Sequence, residues 1–315
     1  MGCEISVFNP SSPPVTALES TVMPEFPDIT VYIEALEARI LGKAPTDVRI
    51  VNPFVLRTVD PPIDRLVGAR VTGFRRMGKR IVIEFEGGLF LVIHLMIAGR
   101  LRWRPPGGKV TNPAPMARFE FENGVLVLTE AGKQRRASIH LVADERDLVQ
   151  FDRGGLEVMN ASLDDFADRL LSENHTVKRS LTDPTLFSGI GNAYSDEILH
   201  HAKMSPMLLT SKMTEEQIAQ LFAAVREVLT EWTDRLRAES GGEFPEKVTA
   251  FREGMAVHGR FGKPFPVCGA PVQRIRYADN ETNYCARCQT GGRLLADRAM
   301  SRLLKQDWPR SLDEM

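Results

Sequence analysis

Met23-Pro24-Glu25 is a start-like tripeptide behind the segment Met1–Val22. In a chain that begins at Pro24, the proline nitrogen is a free secondary amine. Such a group attacks an aldehyde-like carbon and forms an imine, as lysine amines do. An α-amine has a pKa of about 8 against about 10 for lysine, so more of it is neutral near pH 7. With the preceding residues attached, the nitrogen is an amide and this chemistry is closed. Pro24 also reads simply as a residue that opens a first helix.

A second chemical signal lies near the other end. Cys268-x16-Cys285-x2-Cys288 has the spacing of the latter part of a C-x2-C-x16-C-x2-C zinc hairpin. A structural zinc site takes four tetrahedral ligands. Phe265 holds the position of the first cysteine. The upstream His258, a water, or a hairpin held by packing without zinc would each complete the arrangement. Clustered cysteines of this kind suggest a metal and a reducing, intracellular compartment rather than disulfides.

Two further stretches carry polar chemistry. Ser188-Gly189-Ile190-Gly191-Asn192 sits between helical patterns. Amides at the start of the following helix can hold a phosphate, or the stretch is a plain helix–helix turn. Lys79 follows Arg75, Arg76 and Gly78 before a strand. It reads equally as a phosphate contact, a surface charge or a catalytic lysine.

These residues need a scaffold. Ile29, Ile33, Leu36 and Ile40 predict a helix over Asp28–Leu41, stopped by Gly42. Strand patterns follow at 80–85, 89–95, 119–121, 125–128 and 138–142, with Asn123-Gly124 as a hairpin turn. Asp152-Arg153-Gly154-Gly155 reads as a domain joint. Helices are expected at 163–171, 180–186 and 193–201. A capping box at Thr214-Glu215-Glu216-Gln217 opens a long one that Gly241-Gly242 closes. The reading is an α+β multidomain chain: leader 1–23, β-sandwich 24–153, helical domain 154–250, cysteine hairpin 251–290 and tail 291–315.

The chain has 315 residues, 43% hydrophobic and 26% charged, with net charge −1. It is long enough for two domains or more. Its charge argues against general attraction to polyanions, and no apolar run reaches membrane-spanning length. Local basic clusters, Arg75-Arg76…Lys79-Arg80, Arg100…Arg104, Lys133…Arg136 and Arg274…Arg276, leave a nucleic-acid groove open. The leader lacks a secretory h-region, and its Ser, Pro and Thr content predicts disorder or a start assigned too far upstream. Met1-Gly2-Cys3-Glu4-Ile5-Ser6 fits a myristoylation pattern, a short match that arises easily by chance.

Taken in order, Met23–Asp28, Arg75–Lys79, His94–Leu101, Lys178, Gly189–Glu197 and the cysteine hairpin resemble the formamidopyrimidine-DNA glycosylase / endonuclease VIII family. The resemblance spans Pro24 to about Gln289. It implies an N-terminal β-sandwich with flanking helices, a helix–two-turn–helix domain and a zinc-finger-like β-hairpin, with damaged double-stranded DNA in the cleft of a monomer. It also implies a glycosylase with lyase activity. Pro24 matches the nucleophile, Glu25 the proton-shuttling carboxylate and Lys79 the strand lysine beside the lesion. Lys178 and Asn192 match phosphate contacts, and Ile97 an apolar wedge. Cys268, Cys285 and Cys288 match ligands of a structural Zn2+, weakened by Phe265.

The chain departs from the family pattern at several points. Asp28 replaces glutamate, and Thr129–Arg136 replaces the usual Asp-Pro-Arg-Arg-Phe-Gly loop, with Arg136 as the candidate substitute. Asn280 takes a hairpin position where many relatives carry arginine, leaving Arg274 or Arg276 to compensate. The alternative reading is a non-catalytic damaged-DNA-binding protein on the same fold. A zinc-ribbon regulator would leave the N-terminal half unexplained.

Overall fold

The computed structural model describes residues 23–131, 135–246, 248, 252–277, 281–295 and 310–314. The leader and Asn280 lie outside them. Helix α1 covers Phe26–Ile40. It starts before Asp28 because Pro27 fits the first turn without losing a needed donor, and the Asp28 carboxylate accepts the Glu25 N–H at 2.9 Å. Gly42, at φ +75°, turns the chain away.

Eight strands follow: β1 (Asp47–Ile50), β2 (Val71–Met77), β3 (Arg80–Phe85), β4 (Leu89–His94), β5 (Gly99–Arg104), β6 (Pro115–Phe121), β7 (Gly124–Glu130) and β8 (Ser138–Val142). They form two four-stranded antiparallel sheets in the orders β1-β6-β7-β5 and β2-β3-β4-β8. The Asn123-Gly124 turn sets the β6–β7 register, with Phe121 opposite Gly124 and Phe119 opposite Leu126. Ile81, Ile83, Leu91 and Ile93 meet Phe119, Leu126 and Leu128 between the sheets. The alternate residues Val82, Phe90 and Val92 pack under Leu148 and Phe151 on the outer face. Burial on both faces explains why β3 and β4 read as nearly continuous apolar runs.

A second core gathers α2 (Leu163–Leu171), α3 (Val177–Thr182), α4 (Asn192–His201) and α5 (Glu215–Ser240). The capping box forms as expected: Gln217 N–H donates to Thr214 Oγ1 at 3.2 Å, and Thr214 N–H to Gln217 Oε1 at 3.1 Å. Gly241 ends α5 at φ +55°. The helix expected over 180–186 is instead α3, ending at Thr182. Asp183 precedes Pro184 and takes an extended conformation, ψ 115°, because proline disfavours a helical residue before it.

Beyond α5 the chain returns to the sandwich, where Phe244 and Val248 join the first core. The last region holds β9 (Gln273–Arg276), β10 (Glu281–Tyr284) and the short α6 (Ala286–Thr290), with β9 and β10 paired antiparallel. Among the described residues no helix is long and apolar enough to cross a membrane.

Candidate active site and nucleic-acid interface

Helix α4 begins with backbone amides that have no partner inside the helix, and a carboxylate is a favourable neighbour for them. Glu25 occupies that place. Only 1% exposed, its carboxylate accepts N–H bonds from Gly191 (2.7 Å), Ala193 (3.0 Å) and Tyr194 (3.2 Å). Of the two readings of the glycine-rich turn, its amides thus serve the Glu25 carboxylate rather than a phosphate. Glycine is required at 191 for space: a methyl group there would run into both Lys79 Nζ and the Glu25 carboxyl. Lys79 enters from the β2–β3 turn. Burial pushes its ammonium pKa down, while the Glu25 charge pulls the other way.

Pro24 is buried next to Glu25 in the chain, and Phe26 N–H donates to Gly189 O at 2.9 Å to hold this segment on the turn. Met23, Lys79, His94 and Phe151 line an adjoining cavity of about 320 Å³. The structure therefore brings Lys79 and the consecutive Pro24 and Glu25 together from two distant parts of the sequence, with Gly191 between the Lys79 and Glu25 side chains.

Around them stand ion pairs that sequence reasoning did not foresee. Arg252 pairs with buried Asp28 at 2.7 Å, and with Glu239 at 3.3 Å. Desolvation raises the Asp28 pKa against the pull of Arg252. Arg76 stacks on the Phe26 ring at 4.4 Å, donates to Ser188 Oγ at 3.3 Å and pairs with Glu157. Arg75 pairs with Glu84 and Glu145, and Arg104 with Glu246. Much of the basic clustering is thus internal pairing.

Burial pushes the His94 imidazole down to about 4, with Arg80 and Lys79 adding to the effect. The unfolded side chain titrates near 6.5. Between those values the unfolded chain binds more protons, so stability falls as pH drops from 6.5 towards 4. His94→Gln is expected to flatten that slope. Urea midpoints of both proteins at several pH values read it directly, and parallel slopes would assign the loss elsewhere.

The expected DNA contacts divide into two groups. Lys178, Asn192 and Arg276 line one cavity of about 520 Å³, together with Arg179 and Tyr277. Lys178 Nζ donates to Asn192 O at 2.7 Å and Asp196 Oδ1 at 2.5 Å. An ammonium has three donors, so a phosphate contact needs the third. Asn192 Nδ2 donates to Glu281 O at 2.9 Å, tying α4 to β10. Arg274 lies over the Phe261 ring at 4.1 Å and pairs with Glu281 at 3.4 Å, leaving Arg276 as the exposed arginine of β9. On the sandwich, Ile97 sits half-buried in the β4–β5 turn beside Met96, whose φ is +53°. Arg136 is exposed, and its N–H donates to Glu130 Oε1 at 2.8 Å. Residues 132–134 of that loop lie outside the described set.

Asp196 is the hub behind the larger cavity. Fully buried, it accepts from Lys178, from His258 Nδ1 at 2.8 Å and from Asn283 N–H at 3.1 Å. The neighbouring Glu197 accepts the N–H groups of Ala256 (2.8 Å), Val257 (2.9 Å) and His258 (2.9 Å). Sequence inspection quoted this acidic pair without a role. In the sequence it is two carboxylates near Tyr194, Ile198 and Leu199, and only the fold shows that all of them are buried.

The sulfurs of Cys268, Cys285 and Cys288 all lie within 4.8 Å of one another, and Cys268 and Cys285 are 3.5 Å apart. Three soft donors at this spacing fit one zinc ion, for which Zn–S is about 2.3 Å. His258, one option for the fourth ligand, bonds Asp196 through Nδ1 and is not among the side chains gathered with the three sulfurs. Phe265 fills its position with carbon, 2% exposed, its ring 4.6 Å from that of His200. A zinc ion on the three sulfurs would be structural.

Family models match in chain order. The formamidopyrimidine-DNA glycosylase N-terminal domain matches residues 23–138, its H2TH domain residues 157–238, and the zinc finger found in FPG and IleRS residues 262–291. A formamidopyrimidine-DNA glycosylase of Solibacter usitatus is 32% identical over 85% of this chain and 99% of its own length. An uncharacterised glycosylase-like protein of Mycobacterium tuberculosis is 43% identical over 48% of this chain and 94% of its own. Lactococcus lactis Fpg, in a complex with FAPY-dG-containing DNA, superposes with a TM-score of 0.75 at 24% identity, covering 84% of this chain and all of that one. That likeness establishes the fold. With three matched regions in order and a relative aligned over nearly its whole length, the chain belongs to the formamidopyrimidine-DNA glycosylase family.

Proposed function

We propose that the chain is a bifunctional DNA glycosylase and abasic-site lyase that removes oxidised or ring-opened bases. The observation that carries this reading is the pinned Glu25 carboxylate with Lys79 beside it, directly after Pro24. The names of the relatives support the substrate class. The damaged nucleotide leaves the stack at a cost of a few kcal/mol, least where pairing is already weak. The neutral Pro24 nitrogen bonds to sugar C1′, and the bond from C1′ to the base breaks with its electrons leaving on the base. The nitrogen gives up its proton, the C1′–O4′ bond then breaks with its electrons and a proton going to O4′, and a Schiff base remains. Glu25 moves protons at the sugar ring, which general acid–base groups do for about 10²–10⁴-fold in rate. Elimination then cuts the strand on both sides of the sugar.

Lys178, Asn192 and Arg276 hold phosphates and set the duplex register without reading sequence. Ile97 fills the space that the base vacates, as apolar wedges do in unstacked steps, and Arg136 faces the orphaned partner.

Borohydride trapping on a duplex with an abasic site tests the amine. A chain that begins at Pro24 is expected to form a covalent adduct, and one retaining residues 1–23 to form none. Equal yields from both would refute the nucleophile. Glu25→Gln is expected to slow base release by about 10²-fold or more while duplex affinity holds within about threefold. Equal losses in both would remove Glu25 from the chemistry.

A further inference from the structure

The cysteine hairpin is locked by more than its sulfurs. The knuckle around Phe265 closes through backbone bonds, Phe265 N–H to Ala270 O at 2.8 Å and Gly269 N–H to Phe265 O at 2.9 Å, with Arg287 Nη1 donating to Cys268 O at 3.1 Å. Phe265, Cys285, Val257, Ala270 and Val272 form one buried apolar cluster, with Cys268 and Cys288 at its edge. Ile275, Tyr284, Ala286, Leu294 and Leu295 form a second. Leu312, from the far end of the chain, packs against both. Its segment is registered by backbone pairing, Leu294 N–H to Arg310 O at 2.9 Å and Leu312 N–H to Gly292 O at 3.0 Å, with Arg293 and Ser311 in an antiparallel bridge. Glu314 closes the turn by accepting the Arg310 N–H at 2.7 Å.

A tetrahedral zinc site joins the two halves of such a hairpin through four bonds. This chain supplies three sulfurs and, in the first ligand's position, an aromatic ring. We infer that the segment Arg310–Glu314 performs the structural task of the missing ligand, clamping the hairpin so that it stays folded without metal. The C-terminal extension is then a part of the hairpin rather than an appendage.

Hydrogen exchange of the Glu281–Gln289 amides tests this on the full chain, with metal stripped by chelation and its removal verified by elemental analysis. Stripping is expected to change protection of these amides by less than about threefold, since the clamp persists. Leu312→Asp, which puts a charge into both clusters, is expected to raise exchange in the stripped protein by about tenfold or more, with α5 amides unchanged as the folding control. Leu312→Ala should give the same direction with a smaller size, should the charged variant disturb more than the hairpin. Adding Phe265→Cys to either variant is expected to restore protection when zinc is supplied. Loss of protection on stripping the unaltered chain would overturn the inference. So would unchanged exchange in both Leu312 variants. Neither readout depends on catalysis or on DNA.

Discussion

Gly191→Ala is expected to cost about 10²-fold or more in single-turnover base release, because displacement by about 1 Å is enough for that loss. The backbone at Gly191 is extended, φ −133° and ψ −158°, which any residue adopts. The penalty is therefore purely one of space. The added carbon overlaps the end of Lys79 and the Glu25 carboxyl. Lys79 has a long, flexible stem and can retreat. Glu25 cannot, since three amides fix it and Gly191 supplies one of them. Its carboxylate must leave the α4 amides, forfeiting charge-assisted bonds whose net worth is about 1.5–3 kcal/mol each. Release within threefold of the parent, in a protein that keeps its melting temperature, would mean that the Glu25–Lys79 pair is not the reacting centre.

Asp196→Asn is expected to destabilise the fold by about 3 kcal/mol or more and to weaken binding of an abasic-analogue duplex. Breaking a buried ion pair from one side leaves an uncompensated charge, at about 3–5 kcal/mol. Here the stranded group is the Lys178 ammonium, 8% exposed. Lys178 must then reach for solvent, away from the place where a phosphate would meet it. The pH dependence separates this from mere loss of shape. Desolvation acts to raise the Asp196 pKa, but Lys178 and His258 outweigh it and hold the group below its ordinary 3.8. A depressed carboxylate contributes stability above its unfolded pKa and loses it as pH falls through the folded value. The deficit of the variant should therefore be full at pH 7 and shrink below about pH 4. Urea midpoints across that range measure it, and a deficit that does not change with pH would assign the effect to packing alone.

The candidate residues were legible where local pattern and chemistry agree. Pro24, Glu25 and Lys79 lie in short motifs whose roles only the family resemblance suggested, while the strands at 80–85 and 138–142 have the bounds that their apolar runs indicate. What the sequence hid is long-range. Glu25 reaches amides 166 residues away, and Asp28 pairs with Arg252 across 224 residues. No local period encodes such partners. Helix α4 is buried almost all round, so its acidic pair gave no amphipathic contrast from which a burial site could be read. The basic clusters left a groove open, and only the fold shows Arg75, Arg76 and Arg104 paired with glutamates. The partner of His258 was hidden for a similar reason, since only the fold brings its Nδ1 to Asp196.

The opening turn of α4 touches two machines at once. Its first amides grip the Glu25 carboxylate, while the side chain of Asn192, one residue on from Gly191, grips the hairpin through Glu281. Rigid helices transmit displacement, so a tilt of the hairpin as it seats on a duplex is felt at the carboxylate within a single residue. Under the proposed function, seating of the hairpin and placement of the Glu25 carboxylate are thus coupled through one turn of α4.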